Sequence, residues 1–271
     1  MTQGTPKRFL AGLGVVLGLA LPLTDKALAE ATQPSSPPHQ HWDFEGPFGQ
    51  YDQKSLQRGF LIYDRICSNC HGLNNLTYND LLGIGLSSQD IATLAHSKML
   101  AGPPDAAGQP TQRPALPDDH FRAPFPNDAM AAAMMGGVAP PDQSRMVATH
   151  RNGPDWLYAV LTGYRIPAPP GAPAVPGKFY NTAVNGHLIG MPPPLMDGMI
   201  QYPDGTPATL PQQARDITDF LAWASDPHRN ARTRIGLWCM LYLAFMLVLA
   251  TAWKHRTWKR PDKPDNAETE Q

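Results

Sequence analysis

The sequence predicts a mainly α-helical protein with one loop-rich domain and one carboxyl-terminal transmembrane helix. Apolar residues recur at helical spacing in only a few short segments of the 271 residues. A single uncharged apolar run of 19 residues occupies positions 235–253. The 30 prolines and 23 glycines are concentrated between these segments, as at 102–126 and 166–176. We therefore expect long irregular loops between the helices.

The first helix is predicted over residues 52–67. Leu56, Phe60, Tyr63 and Cys67 follow one another at intervals of four, three and four residues, which places them on one helical face. That face is predicted to pack into the core.

Two shorter helices are predicted from the residues at their ends. One is capped by Ser87 or Ser88, and its inner face includes Ile91. The other begins at the Gly-Pro pair of residues 153–154 and ends at Gly163.

The last helix of the domain has the clearest boundaries. Thr209 and Gln212 are three residues apart, as in a capping box, and a proline in the first turn is tolerated. Ile217 and Phe220 belong to its apolar face, and Pro227 is expected to end it.

The amino terminus, residues 1–29, is predicted to be a secretory signal peptide. Lys7 and Arg8 precede an apolar run of about 15 residues, and A-L-A at 27–29 matches the small-residue cleavage pattern. The mature chain would then begin near Glu30. The alternative, an uncleaved anchor, is disfavoured because a membrane span needs about 20 apolar residues.

A carboxyl-terminal anchor with basic flanks is predicted over residues 229–260. Its apolar part, 235–253, would be about 28 Å long as a helix, close to the hydrocarbon thickness of a bilayer. Trp238 and Trp253 lie near its ends, as interfacial aromatic residues do. A buried core helix is the alternative, and the basic residues on both sides argue against it.

The signal and the anchor together predict a single-pass protein of the bacterial inner membrane. Residues 30–228 would lie in the periplasm, and the polar tail, 261–271, in the cytoplasm. Residues 30–226 contain 18 acidic and 11 basic residues, a net charge of −7. This acidic domain disfavours nucleic acid as a partner and favours a basic protein.

The motif C-x-x-C-H, formed by Cys67, Cys70 and His71, predicts covalent attachment of one c-type haem. Two thiols three residues apart can each bond one vinyl group, and the adjacent histidine can reach the iron from the same side. A zinc site would need about four ligands, and the third cysteine, Cys239, lies inside the apolar run. A redox C-x-x-C would accompany a βαβ pattern, which the sequence lacks.

The second axial ligand decides between electron transfer and open-iron chemistry. Among the methionines of the domain, Met191 is favoured because the prolines that follow it, in G-M-P-P-P at 190–194, stiffen its segment. On local chemistry alone, Met130, Met134 and Met135 remain candidates.

Several motifs, in order along the mature chain, resemble the cytochrome c1 family, the haem subunits of cytochrome bc1 (quinol–cytochrome c oxidoreductase) complexes. Besides C-x-x-C-H they are S-L-Q-R-G at 55–59, P-P-D at 140–142, G-P-D at 153–155, L-T-G-Y at 161–164, G-M-P-P-P at 190–194, D-G-T-P-A-T at 204–209 and F-L-A-W-A-S-D-P at 220–227. A single carboxyl-terminal span follows them.

The resemblance implies a class I cytochrome c-like haem domain with long loop insertions, in which the helix carrying Cys67 packs against the helix of residues 212–225. It implies His71 and Met191 as axial ligands of the iron and a basic partner for a haem propionate, which falls at His150 or Arg151. Here the segment before P-P-D departs from the family pattern, and this departure leaves the propionate partner open.

The implied function is a non-catalytic relay of single electrons from the Rieske iron–sulfur subunit to a cytochrome c. Cytochrome b would supply the quinol sites, and this chain would have no substrate chemistry of its own. Two other functions compete with this one. The haem subunit of a membrane dehydrogenase commonly carries several C-x-x-C-H motifs, whereas this chain has one. A haem enzyme or gas sensor would require an open iron position.

Overall fold

The computed structural model describes residues 37–258. The predicted signal peptide (1–29) and the polar tail (261–271) lie outside the described residues. The chain is mainly helical, with two small antiparallel hairpins. Its elements are α1 (Gln53–Arg65), α2 (Ser88–His96), β1 (Met99–Gly102), β2 (Thr111–Pro114), α3 (Asp128–Met134), α4 (Met146–Thr149), α5 (Gly153–Thr162), β3 (Phe179–Tyr180), β4 (Leu188–Ile189), α6 (Leu210–Ser225) and α7 (Arg229–Thr257).

The core is organised around the crossing of α1 and α6. At Gly59 the two backbones approach so closely that a Cβ would lie 2.1 Å from the carbonyl oxygen of Asp216. The rings of Phe60 and Tyr63 pack 5.7 and 5.8 Å from the ring of Phe220. The expected packing of the Cys67-bearing helix against the last helix of the domain is confirmed, and a glycine is required at the point of contact.

A buried ion pair also joins the two helices. The Arg58 guanidinium donates two hydrogen bonds, of 3.0 and 2.9 Å, to the fully buried carboxylate of Asp216. Its third nitrogen bonds Asp204, in the loop before α6, at 2.9 Å. By bonding both Asp216 and Asp204, Arg58 fixes the register of α1, α6 and this loop. Removing one partner from such a pair would leave an uncompensated buried charge.

The predicted helix ends are largely confirmed. The Thr209 side chain accepts the N–H of Gln212 and caps α6, and Ser87 caps α2. The second hydrogen bond of the predicted capping box, from the Thr209 backbone to the Gln212 side chain, is absent, so that part of the prediction is wrong. The Gln212 side-chain amide instead donates to Asp216, one turn further along the helix. The carboxylate of Asp216 is the stronger acceptor.

Two features were not predicted from the sequence. The Pro-rich stretch at 102–126 contains β2, which pairs with β1, and the short helices α3 and α4 precede α5. Strands of four residues have too short an apolar alternation to be recognised, and helices of four to seven residues show little periodicity.

Helix α7 is the one described helix that is long and apolar enough to cross a membrane. Its most apolar 18-residue window has a mean hydropathy of 2.2, and none of that window is buried against the rest of the protein. It begins at the first residue of the predicted anchor and ends at Thr257. Exposed apolar side chains around a whole helix are stable in lipid and not in water, which rules out the alternative of a buried core helix.

Candidate haem site

The C-x-x-C-H motif follows directly from the carboxyl end of α1. The chain tightens there into a single 3-10 turn, Cys67–Asn69, in which the Cys67 carbonyl accepts the N–H groups of both Cys70 and His71. This turn places the two cysteines and the histidine within one loop at the helix end. Both thiols are free and half-buried, and Cys67 packs against the core.

The environment of Cys67 argues against thiolate chemistry. Burial raises the pKa of its thiol to about 12, whereas reactive and metal-binding cysteines have lowered pKa values. Within residues 37–258, no group of three or more His, Cys, Asp or Glu side chains is placed to hold a metal ion. The remaining cysteine, Cys239, is exposed on α7. These observations disfavour the zinc and redox alternatives.

His71 is oriented for ligation through one ring nitrogen. Its Nδ1 lies 2.8 Å from the carbonyl oxygen of Pro141, and a carbonyl only accepts, so Nδ1 must carry the hydrogen. The lone pair is therefore on Nε2. Burial, the largest effect, lowers the pKa of His71, which keeps the ring neutral. A neutral imidazole with a carbonyl partner on its other nitrogen is the usual state of a metal-bound histidine.

This donor set fits a c-type haem. Two neighbouring thiols are suited to thioether bonds, and the free Nε2 of His71 is suited to an iron ligand. The iron of such a haem needs one further strong donor for a closed coordination sphere.

Met191 lies in the irregular segment after β4. Its side chain is half-buried and packs against the hydrophobic core. Its carbonyl accepts a hydrogen bond of 3.0 Å from the hydroxyl of Tyr164. The competing methionines are exposed: 48% for Met130, 66% for Met134 and 39% for Met135.

Arg151 lies on the surface, in the turn before α5. The ring of its neighbour His150 stacks on Trp156 at 3.8 Å, and His150 Nδ1 lies 2.8 Å from the carbonyl oxygen of Met146. The His150 ring is therefore already held by contacts within the protein. The role of Arg151 towards a propionate remains a prediction.

Two contributors to the site were not assigned a role from the sequence. They are the Pro141 carbonyl and the Tyr164 hydroxyl. Each lies in a short motif noted in the sequence, P-P-D or L-T-G-Y, but their partners are distant in the sequence, 70 residues away for Pro141.

Comparison with known proteins decides the family. The family model described as "Cytochrome C1 family" matches residues 42–261. The chain belongs to the cytochrome c1 family. Cytochrome c1 from Rhodospirillum rubrum is 38% identical over 270 residues, an alignment that covers 93% of this chain and 97% of that protein.

Other similar proteins include a longer bacterial protein named for both cytochrome b and cytochrome c1, and a mitochondrial protein. "Cytochrome b/c1" from Bradyrhizobium diazoefficiens is 37% identical over 82% of this chain and 35% of its own length. The mitochondrial cytochrome c1 haem protein from Kluyveromyces lactis is 33% identical over 93% of this chain and 89% of its own length. Cytochrome c1 proteins carry a covalently bound c-type haem and take part in electron transport. The membership therefore confirms the resemblance and the mainly helical fold with a carboxyl-terminal apolar helix.

Proposed function

We propose that this chain is the electron-transfer subunit of a respiratory cytochrome bc1 complex. It would receive single electrons from the Rieske iron–sulfur protein and pass them to a cytochrome c through one c-type haem attached at Cys67 and Cys70. The observation that carries the proposal is the hydrogen bond between His71 and Pro141 in a cytochrome c1 chain, because it leaves Nε2 free to bind iron.

Each residue of the site has a distinct task in this proposal. Cys67 and Cys70 would hold the haem at the end of α1, and His71 and Met191 would be the two axial ligands. When bound, the haem supplies a one-electron couple between ferric and ferrous iron. Two strong protein ligands leave no open position for oxygen or peroxide, and thioether ligation favours a high reduction potential. Arg151 would face a haem propionate.

Two observations support the proposed partners. One relative is named "Cytochrome b/c1", which supports a cytochrome b as a partner of this chain. The net charge of −7 over residues 30–226 would attract a basic cytochrome c by long-range electrostatics.

The proposed location is the bacterial inner membrane. Cleavage of the signal at 1–29 would leave α7 as the single anchor, with the haem domain (30–228) in the periplasm and the tail (261–271) in the cytoplasm. The length and apolar surface of α7 support a single membrane-spanning helix, and the orientation rests on the predicted signal peptide.

The proposal is tested by purifying the full-length protein from its membrane in mild detergent. A b-type cytochrome and an iron–sulfur protein should co-elute with it, and a quinol should reduce its haem only when the iron–sulfur protein is present. As a control, the Cys67→Ser/Cys70→Ser double variant should lose the covalent haem. Co-elution with a sugar or alcohol dehydrogenase, or quinol reduction without the iron–sulfur protein, would contradict the proposal.

A further inference from the structure

We propose that Asp142 is a positioning residue for the axial ligand His71. Its carboxylate holds the segment whose Pro141 carbonyl accepts the His71 N–H, and it thereby lowers the reduction potential of the site. The inference rests on the proposed function, because it takes His71 as the iron ligand.

Two segments that are distant in the sequence lie side by side at this point. Residues 141–144 run along residues 71–75, and four hydrogen bonds join them in what we call the histidine clasp. The four bonds are His71 Nδ1 to the Pro141 carbonyl (2.8 Å), Gln143 N–H to the Gly72 carbonyl (2.9 Å), Asn74 N–H to Asp142 Oδ2 (2.9 Å) and Asn75 N–H to Ser144 Oγ (2.9 Å).

Asp142 is the residue that spans the clasp. One of its carboxylate oxygens accepts the Asn74 N–H across the gap, and the other accepts the N–H of Ser144 at 2.9 Å within its own segment. Both carboxylate oxygens thus accept hydrogen bonds from backbone N–H groups. Because the Pro141 carbonyl and the Asp142 N–H belong to one planar peptide unit, fixing Asp142 also orients the carbonyl that faces His71.

The neighbouring sequence is suited to this close contact. A Cβ on Gly72 would lie 3.0 Å from both Asp142 Oδ2 and Asn74 Oδ1, so a larger residue next to the ligand would crowd these two side chains. On the other side, Pro140 and Pro141 have fixed φ angles and leave the segment little freedom to move. Asp142 therefore has a defined position although it is exposed.

This geometry has a direct electronic consequence. A hydrogen bond from Nδ1 to a carbonyl makes the imidazole a stronger donor to the metal, and a stronger donor stabilises the ferric state. Asp142 fixes the carbonyl that makes this hydrogen bond, so it favours the ferric state and lowers the potential.

The test is Asp142→Asn in the full-length detergent-purified protein. Asparagine has the same size but no charge, and its NH2 group would face one of the two backbone N–H groups. We expect the midpoint potential to rise and the EPR g values of the low-spin ferric iron to move, while the covalent haem is retained.

A matched control and a second variant separate positioning from charge. Asp105 is also exposed and accepts the N–H groups of Ala107 and Gln109 within its own loop, so Asp105→Asn should leave the potential unchanged. Asp142→Glu keeps the charge but displaces the carboxylate. A positioning role requires a smaller upward shift in this variant, whereas a pure charge effect requires none.

The inference is overturned if Asp142→Asn folds with an unchanged or lower potential, or if Asp105→Asn raises the potential equally. An unchanged potential in Asp142→Glu also overturns it, whether or not Asp142→Asn incorporates haem. Failure of the inference is distinguishable from failure of the proposed function. An unchanged potential in Asp142→Asn, when the wild-type spectrum shows histidine and methionine ligation, contradicts only the inference, whereas a wild-type spectrum without that ligation contradicts the proposed function.

Discussion

The two sides of the proposed haem site are built differently. His71 follows a turn that continues from α1, and the clasp joins residues 71–75 to residues 141–144 by four hydrogen bonds, one of which is made by His71. Met191 lies in an irregular proline-containing segment, and its carbonyl is held by the hydroxyl of Tyr164. The histidine side is thus a turn at the end of α1 that hydrogen bonds tie to a second segment, whereas the methionine side is a proline-containing loop that rests on the core. We expect damage to the core to unfold the protein and damage beside Met191 to change only ligation.

The largest effect on stability is expected for Arg58→Met. This change leaves the Asp216 carboxylate buried without its partner and should lower the free energy of unfolding by about 3–5 kcal/mol. Chemical denaturation followed by circular dichroism measures it. The control is Arg113→Met, which removes an equally bidentate but solvent-exposed pair with Asp119 and should lower the free energy of unfolding far less. Equal losses would contradict the distinction between core and periphery.

An intermediate effect on stability is expected from the titration of Asp219. This carboxyl group faces Asp216 across the Ser55 hydroxyl, and Arg215 and Asp43 are nearby. The Ser55 hydroxyl has one proton and cannot donate to both carboxylates at once, so it compensates the charge of only one of them at a time. Burial, opposed by the Ser55 hydrogen bond, raises the pKa of Asp219 from 3.8 to about 6.

The sign of the resulting pH dependence follows from the raised pKa. Stability is fully present below the ordinary pKa of a carboxyl and is lost as the pH rises through about 6, by at most about 3 kcal/mol. Unfolding midpoints at about pH 5 and pH 7.5 should therefore differ in the wild type. They should differ less in Asp219→Asn, whose amide stays neutral. An identical pH dependence in both proteins would exclude Asp219 as the titrating group.

The smallest effect is expected for Tyr164→Phe, which removes the hydrogen bond to the Met191 carbonyl at a cost of about 1 kcal/mol. The absorption band of methionine ligation should then disappear at a lower temperature, while global unfolding changes little. The matched variant on the other side is Tyr63→Phe, because Tyr63 donates a bond of 3.3 Å to the His71 carbonyl. It should leave the band unchanged, since the clasp still holds the histidine. A band equally weakened in both variants would mean that the two sides are not independent.

The sequence predicted the elements of the fold better than the contacts between them. The helical face of Leu56, Phe60 and Tyr63, the Thr209 cap and the apolar run at 235–253 are local patterns, and the structure contains all three. The predicted helix was too long at its carboxyl end, because α1 ends at Arg65 and Cys67 begins a separate 3-10 turn. The clasp could not be predicted, because it joins residues about 70 positions apart that share no local pattern. The capping box failed for a similar reason, since the Gln212 side chain donates to Asp216.

The assignment of Met191 also shows this limit. Local chemistry left Met130, Met134 and Met135 open, and the choice of Met191 relied on the family resemblance. The half-buried position of Met191 against the core and the exposure of the other three now support that choice by an independent physical argument.

The most direct test of the account is the near-infrared charge-transfer band of the ferric protein in Met191→Leu. Leucine has a similar volume, so the domain should fold, but it lacks the sulfur donor. We expect the band to vanish, the midpoint potential to fall and the reduced protein to bind carbon monoxide, whereas Met130→Leu should keep the native band. If Met191→Leu keeps the band and Met130→Leu loses it, Met191 is not the ligand and the relay through a closed His–Met site is wrong.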